Sequence, residues 1–179
     1  MSKKIIIISS SPRKGGNSDL LCDEFAKGAT EAGNEVEKIY VKDMKLNYCS
    51  GCGFCVGNKG QCSQRDDMET VKEKLIAADT IVLATPVYFY TMSAQMKTFI
   101  DRLCSFYTLL PNKEFYYIMT AADGEKAAMA RVLTEFDGLL ACLDNPVLKG
   151  SVFGTGVWEK GTVKDKPAMK DAHAMGQGV

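Results

Sequence analysis

Along the chain, short wholly apolar runs alternate with stretches whose apolar residues recur every three or four positions. Ile5 to Ile8 is an unbroken β-branched run that ends in Ser9-Ser10-Ser11-Pro12. Apolar residues at every position, rather than at alternate ones, predict a strand buried on both faces, as in parallel sheets. After the loop Pro12 to Gly16, Asn17 or Ser18 is the expected N-cap of a helix burying Leu20, Leu21, Phe25 and Ala29 and closing near Gly33-Asn34. Val36 to Val41 predicts a second strand. Residues 47–65 are rich in cysteine and glycine, with little periodicity. Asp66 or Asp67 then opens a helix with Met68, Val71, Leu75 and Ile76 facing inward.

Thr80 to Ala84 predicts a third strand, stopped by Thr85-Pro86, and a helix from about Ser93 to Cys104 carries Met96, Phe99, Ile100 and Leu103. Phe115 to Met119 predicts a fourth strand, followed by the loop Thr120-Ala121-Ala122-Asp123-Gly124. A long helix over about 125–142 presents Met129, Val132, Leu133, Phe136 and Leu140. Val147 to Phe153 is the fifth strand, and a short helix spans about Pro167 to Met175. No repeat and no linker interrupts the series, so one domain is expected over residues 1–179, with an insert at about 47–65. Strands alternating with helices predict a doubly wound α/β fold, a five-stranded parallel sheet with helices on both faces.

Charge and composition narrow the chemistry. Twenty-two basic residues balance 22 acidic ones, so no basic surplus points to nucleic acid or an anionic membrane. With His173 as the sole histidine, a zinc site built on several histidines is excluded. The apolar run after Met1-Ser2-Lys3-Lys4 is too short for a signal sequence, and no stretch approaches the length of a membrane span. A reducing cytoplasm is therefore expected, where the seven cysteines would not form disulfides.

In a doubly wound sheet, ligands bind beyond the carboxyl ends of the strands where strand order reverses. The first such loop, Ser9 to Ser18, offers hydroxyls, Arg13, two glycines and a helix N-terminus, a combination suited to an anion. It matches neither the dinucleotide nor the nucleoside-triphosphate glycine fingerprint, and no cysteine carries the phosphatase spacing to arginine. The bland alternative is a capped turn that binds nothing. The second loop, Thr85 to Ser93, carries Tyr88-Phe89-Tyr90, either a wall for a flat ring or a cluster packed on a neighbouring subunit. The third, Thr120 to Gly124, is small and polar, so its backbone can approach a ligand.

Ser10-Ser11-Pro12-Arg13 with Gly16-Asn17-Ser18 resembles the flavin phosphate loop of the flavodoxin-like NAD(P)H-dependent FMN reductases. Ala84 to Phe89, followed by Met92-Ser93-Ala94-Gln95-Met96-Lys97, Phe99 and Asp101-Arg102, resembles that family's second flavin-contacting segment. The resemblance covers nearly the whole chain. It implies strand order 2-1-3-4-5, with FMN at the switch between strands one and three; flavodoxin is itself a standard example of that rule. Carried over residue by residue, it has Ser11, Arg13, Asn17 and Ser18 hold the phosphate, with Ser9 at the loop's start and Lys14 to Gly16 helping through backbone. Pro86, Val87, Tyr88 and Phe89 would line the ribityl chain and ring, and Thr120, Ala121, Ala122, Asp123 and Gly124 would close the other side. Ser10 departs from the glycine such loops often have. Lys97 and Arg102 fall in the resembling segment, with solvated helix charges or partners of Asp101 as the alternative.

Cys49-x2-Cys52-x2-Cys55-x6-Cys62, interleaved with Gly51, Gly53 and Gly57, suits thiolate ligation of an iron–sulfur cluster, though not in the ferredoxin spacing. It resembles the compact motif of the iron–sulfur flavoproteins, which implies [4Fe–4S] beside FMN. A tetrahedral zinc site and four free thiols stay open beside it. Cys22, Cys104 and Cys142 fall on helices and are expected as small core residues.

The resemblance thus implies an oxidoreductase that passes electrons from NAD(P)H through FMN to a small-molecule or redox-protein acceptor. The alternative is an iron–sulfur flavoprotein carrier working with ferredoxin-type partners, and a third reading is a flavin-free module on the same fold. A homodimer or larger homo-oligomer is also implied, with no nucleic-acid or membrane partner.

Overall fold

Strand β1 (Lys4–Ser9) divides the interior in two, with Ile6 and Ile8 in one core and Ile5 and Ile7 in the other. Each fully buried isoleucine contributes roughly 1.5–3 kcal/mol, which is why the run is apolar without alternation. The computed structural model describes residues 2–179. In chain order, β1 is followed by α1 (Asn17–Glu31), β2 (Glu35–Tyr40), α2 (Phe54–Gly57), α3 (Met68–Ala77) and β3 (Thr80–Tyr88). Then come β4 (Thr91–Met92), α4 (Ala94–Arg102), β5 (Glu114–Thr120), α5 (Ala130–Leu140), β6 (Val147–Gly154) and α6 (Ala168–Gln177).

The sheet runs β2-β1-β3-β5-β6, all parallel, with β4 folded back antiparallel on the end of β3. This corrects the expected order 2-1-3-4-5: a sixth, two-residue strand intervenes, and the order becomes 2-1-3-5-6. Helices α1 and α6 cover one face, where Leu21, Phe25 and Ala172 meet Ile7, Val82 and Ile118. Helices α3, α4 and α5 cover the other, where Leu75, Phe99 and Phe136 meet Ile8, Leu83 and Tyr117. The chain reverses direction across the sheet between β1 and β3, and the crevice beyond their carboxyl ends is the place for a ligand.

Several expected boundaries move for physical reasons. Strand β3 does not stop at Thr85-Pro86. Ser10 N–H still bonds Ala84 O, so two residues later the Pro86 nitrogen faces the same edge, where β1 has ended and no donor is needed. Neither Asn17 nor Ser18 caps α1 with its side chain; Gly16 occupies the cap position. The helix ends as expected at Gly33 (φ +89°), with Gly33 N–H on Thr30 O and Asn34 N–H on Ala29 O. The expected helix at 125–142 begins as a tighter 3₁₀ turn over Lys126–Met129. Ile76 is exposed rather than inward. Cys22 is buried, but Cys104 and Cys142 are exposed, each in a turn just past the last buried residues of α4 and α5. Among the described residues no helix is long and apolar enough to cross a membrane.

Candidate functional site

The loop between β1 and α1 closes as a tight turn, with Gly16 N–H on Arg13 O. Gly15 takes a left-handed conformation (φ +68°), and a Cβ on Gly16 would stand 2.8 Å from Arg13 O, so only glycine fits that close turn. Ser11 Oγ accepts from Arg13 N–H at 3.2 Å and rigidifies the turn. Gly15 N–H donates to Asp19 at 2.7 Å, and Asp19 is held from behind by the Lys38 ammonium, also at 2.7 Å. Burial disfavours the Lys38 charge, but hydrogen bonds to Asp19, Asp23 and Tyr40 keep its pKa above the ordinary lysine value. The first N–H groups of α1 have no intrahelical acceptor, and Ser18 Oγ is buried there without a hydrogen-bond partner. An orphaned hydroxyl, free N–H groups and the positive end of a 15-residue helix fit a phosphate.

Asn17 is spent differently. Its side-chain amide donates to Val157 O (3.2 Å) and Glu159 O (2.9 Å) and accepts from Gly161 N–H (2.9 Å) and Val163 N–H (3.2 Å). Only its backbone N–H is left for a ligand. At the end of β1, Ser10 Oγ donates to Ala84 O and accepts from Ser93 Oγ, both at 2.9 Å, and Ser93 also caps α4 by accepting from Met96 N–H. This buried chain ties the first loop to the second.

Across the crevice, β3 and β4 form a hairpin whose tip residues, Phe89 (φ +50°) and Tyr90 (φ +64°), are both left-handed. Such tips ordinarily carry Asn-Gly, and left-handed backbone costs an ordinary residue roughly 1–2 kcal/mol. Glu135 of α5 accepts from Met92 N–H at 2.9 Å and holds the hairpin in place. Pro86, Val87 and Tyr88 face the crevice, whereas Phe89 is 98% exposed at the tip.

One cleft therefore gathers Ser11, Arg13, Gly16, Asn17, Ser18, Pro86, Val87, Tyr88 and Ala122. Thr120 and Ala121 lie buried beneath it, and Ala121 bonds Gly154 O and Val157 N–H. Ser9 is buried behind the loop with an unpartnered hydroxyl. Lys14, Phe89, Asp123 and Gly124 do not line the cleft; Lys14 reaches instead over the Tyr40 ring. Val157, Trp158 and Lys160 do line it, and sequence reading missed them. Their loop follows the last parallel strand, so the carboxyl-end rule, with the chain's lone tryptophan as a marker, had the signal to find them.

The cysteine insert sits apart from this cleft. Cys49 and Cys52 are exposed, and Cys55 and Cys62 are half-buried. Gly51, Gly53, Lys59 and Gly60 are all left-handed, which coils the segment tightly, and Gly60 packs against Ser105 O. The Phe54 N–H first, then the Ser63 and Ser50 hydroxyls, lower the Cys52 thiol's pKa. Burial, then neighbouring Cys55 and Cys49, raise that of Cys104. Arg102 is not a solvated helix charge and does not pair with Asp101, which binds Lys97 instead. Arg102 is 3% exposed, and its Nη2 lies 3.7 Å from Cys62 Sγ. Four thiols, one of them beside a guanidinium, have the chemistry of an iron–sulfur donor set. Their placement does not: among the described residues no three Cys, His, Asp or Glu side chains converge on a metal position.

A family model described as NADPH-dependent FMN reductase matches residues 3–159. An iron–sulfur flavoprotein of Archaeoglobus fulgidus is 47% identical over 100 residues, 56% of this chain but only 45% of that relative. The chain thus spans about half the length of that curated relative. A second iron–sulfur flavoprotein of the same organism is 31% identical across 98% of this chain and 93% of its own length. Among solved structures, an NAD(P)H:quinone oxidoreductase from Methanothermobacter marburgensis superposes with a TM-score of 0.72 at 14% identity, covering 99% of this chain and 97% of that one.

Proposed function

This chain belongs to the NADPH-dependent FMN reductase family, and from that premise we propose that it is an FMN-dependent oxidoreductase moving electrons from NAD(P)H to a small-molecule acceptor of the quinone type. The observation that carries the reading is one cleft with an anion-ready helix N-terminus at one end and an apolar, aromatic wall along its side. FMN bound there would supply the hydride acceptor and the electron relay. The protein's part is binding and orientation: Ser11, Arg13 and Ser18 with the backbone N–H groups of Lys14 and Asn17 toward the phosphate, those of Gly15 and Gly16 being spent on Asp19 and Arg13 O, and Pro86 to Tyr88 along the ring. Ser9, Thr120, Ala121 and Ala122 shape the floor and far side, and Phe89, Asp123 and Gly124 flank the opening. No side-chain acid or base is assigned.

The protein purified from a flavin-replete host is expected to be yellow, and mixing it with NADH or NADPH in a stopped-flow cell should bleach the flavin band. A colourless protein that binds no added FMN would overturn the reading. We place the chain in the cytoplasm as a single domain that forms a homodimer or larger homo-oligomer, in keeping with its free thiols and the exposed aromatic hairpin tip.

A second reading is favoured by the Cys49, Cys52, Cys55 and Cys62 segment beside Arg102 and by the names of the two Archaeoglobus relatives. In it the chain also carries a [4Fe–4S] cluster on these cysteines and exchanges electrons with a ferredoxin-type partner. The sulfurs would have to draw together from the places described above. Iron and acid-labile sulfide analysis of anaerobically purified protein decides it; protein lacking both, with full flavin occupancy, overturns it.

A further inference from the structure

We propose that the loop over residues 157–163 is the second half of the phosphate site, with Lys160 as a phosphate-reading cation and Asn17 as the residue that positions it. The inference rests on the flavin reading and adds residues that the resemblance does not reach. Asn17 fastens this loop to the first turn of α1 through four hydrogen bonds. The Lys160 side chain then lies across the tip of the first loop: a Cβ on Gly15 would stand 3.3 Å from Lys160 Cε and 3.5 Å from Nζ. On the same loop, Trp158 O accepts from Arg13 Nη1 at 3.5 Å. Arg13 and Lys160 thus line the same cleft as Ser18, whose hydroxyl has no partner, at the N-terminus of α1. The nearest buried carboxylate, Asp19, is already neutralised by Lys38 and spent on Gly15 N–H. The ligand feature that such a cluster recognises is a phosphomonoester dianion. Lys160 therefore separates FMN from riboflavin, which has the same ring and no phosphate.

Trp158 supplies the readout. It is the only tryptophan, 72% exposed, and it lines the cleft, so an occupying flavin should quench its emission. FMN and riboflavin are titrated into the flavin-free chain and into Lys160→Ala and Lys160→Arg, following both tryptophan and flavin fluorescence. Lys160→Ala is expected to weaken FMN about fivefold, the scale of one exposed charge-assisted contact, while riboflavin is unchanged and Lys160→Arg restores FMN. Asn17→Ala should likewise lower the FMN-to-riboflavin preference. Equal loss for both flavins in Lys160→Ala, or no loss for FMN, overturns the assignment. A wild-type chain that binds neither flavin overturns the flavin reading beneath it.

Discussion

The Arg102 guanidinium grips the Asp66 carboxylate through two hydrogen bonds, Nη1 to Oδ2 at 2.6 Å and Nη2 to Oδ1 at 2.9 Å. Nη1 also donates to Asn47 O at 2.8 Å and Gln64 Oε1 at 3.2 Å. One side chain at the end of α4 thereby fastens both ends of the cysteine insert. Removing one member leaves the other charged and desolvated, which costs about 3–5 kcal/mol for a buried pair. Arg102→Ala is expected to lower unfolding stability in urea by about that range. Limited proteolysis should then cut first within residues 47–65.

Acid should loosen the same joint. Burial would raise the Asp66 carboxyl, but the hydrogen bonds from Arg102 and Met68 N–H outweigh it and hold its pKa below the ordinary value. Glu114 is depressed in the same way: burial works upward, and the Lys3 ammonium, joined by Thr80 and Lys149, outweighs it. A carboxylate depressed in the folded state stabilises the fold above its unfolded pKa, about 4. That stabilisation is lost as pH falls through the folded pKa. Chemical denaturation from pH 6 down to pH 3 should show stability falling below about pH 4. In Asp66→Asn the slope should be shallower; an unchanged slope would refute the role given to this carboxylate.

Gly16→Ala tests the proposed phosphate role of the first turn. The added methyl would stand 2.8 Å from Arg13 O and 3.2 Å from Ser11 Oγ, so the loop must open. FMN affinity is expected to fall about tenfold or more, equivalent to about 1.4 kcal/mol. Gly16 is itself buried, so a drop in the thermal midpoint should accompany the loss of affinity.

Helices α1 and α6 nearly touch. A Cβ on Gly176 would lie 2.1 Å from Phe25 O, and one on Gly28 would lie 2.1 Å from His173 O. Alanine in place of glycine normally strengthens a helix by about 1 kcal/mol. Here a backbone clash opposes it, and the net effect of Gly176→Ala is expected to be a loss of about 2 kcal/mol, read by calorimetry. A gain in stability would contradict the close packing.

The sheet was legible because burial on both faces leaves an uninterrupted apolar run, and β1, β3 and β5 each show one. The β3–β4 hairpin was not, because its tip carries Phe89 and Tyr90 where turn chemistry calls for Asn-Gly. The tight turn of the first loop was legible from Ser11 and Gly16, which close it around Arg13. Asn17 shows the limit: its residue type fits a phosphate ligand as well as a clamp, and only the fold reveals that its amide is occupied by residues about 140 positions away. Arg102 was hidden likewise, since a helix-end arginine followed by leucine and cysteine reads as solvated until Asp66 is brought to it.

Every partner of the Asn17 amide is a main-chain atom. The clamp therefore registers the path of the 157–163 loop and is indifferent to the side chains riding on it. Positions 158, 159 and 160 form a cassette whose side chains can be recoded while the clamp, which reads main chain alone, keeps the path of the loop. A library varied at those three positions, with Asn17 kept, would change what the cleft accepts while leaving its scaffold in place.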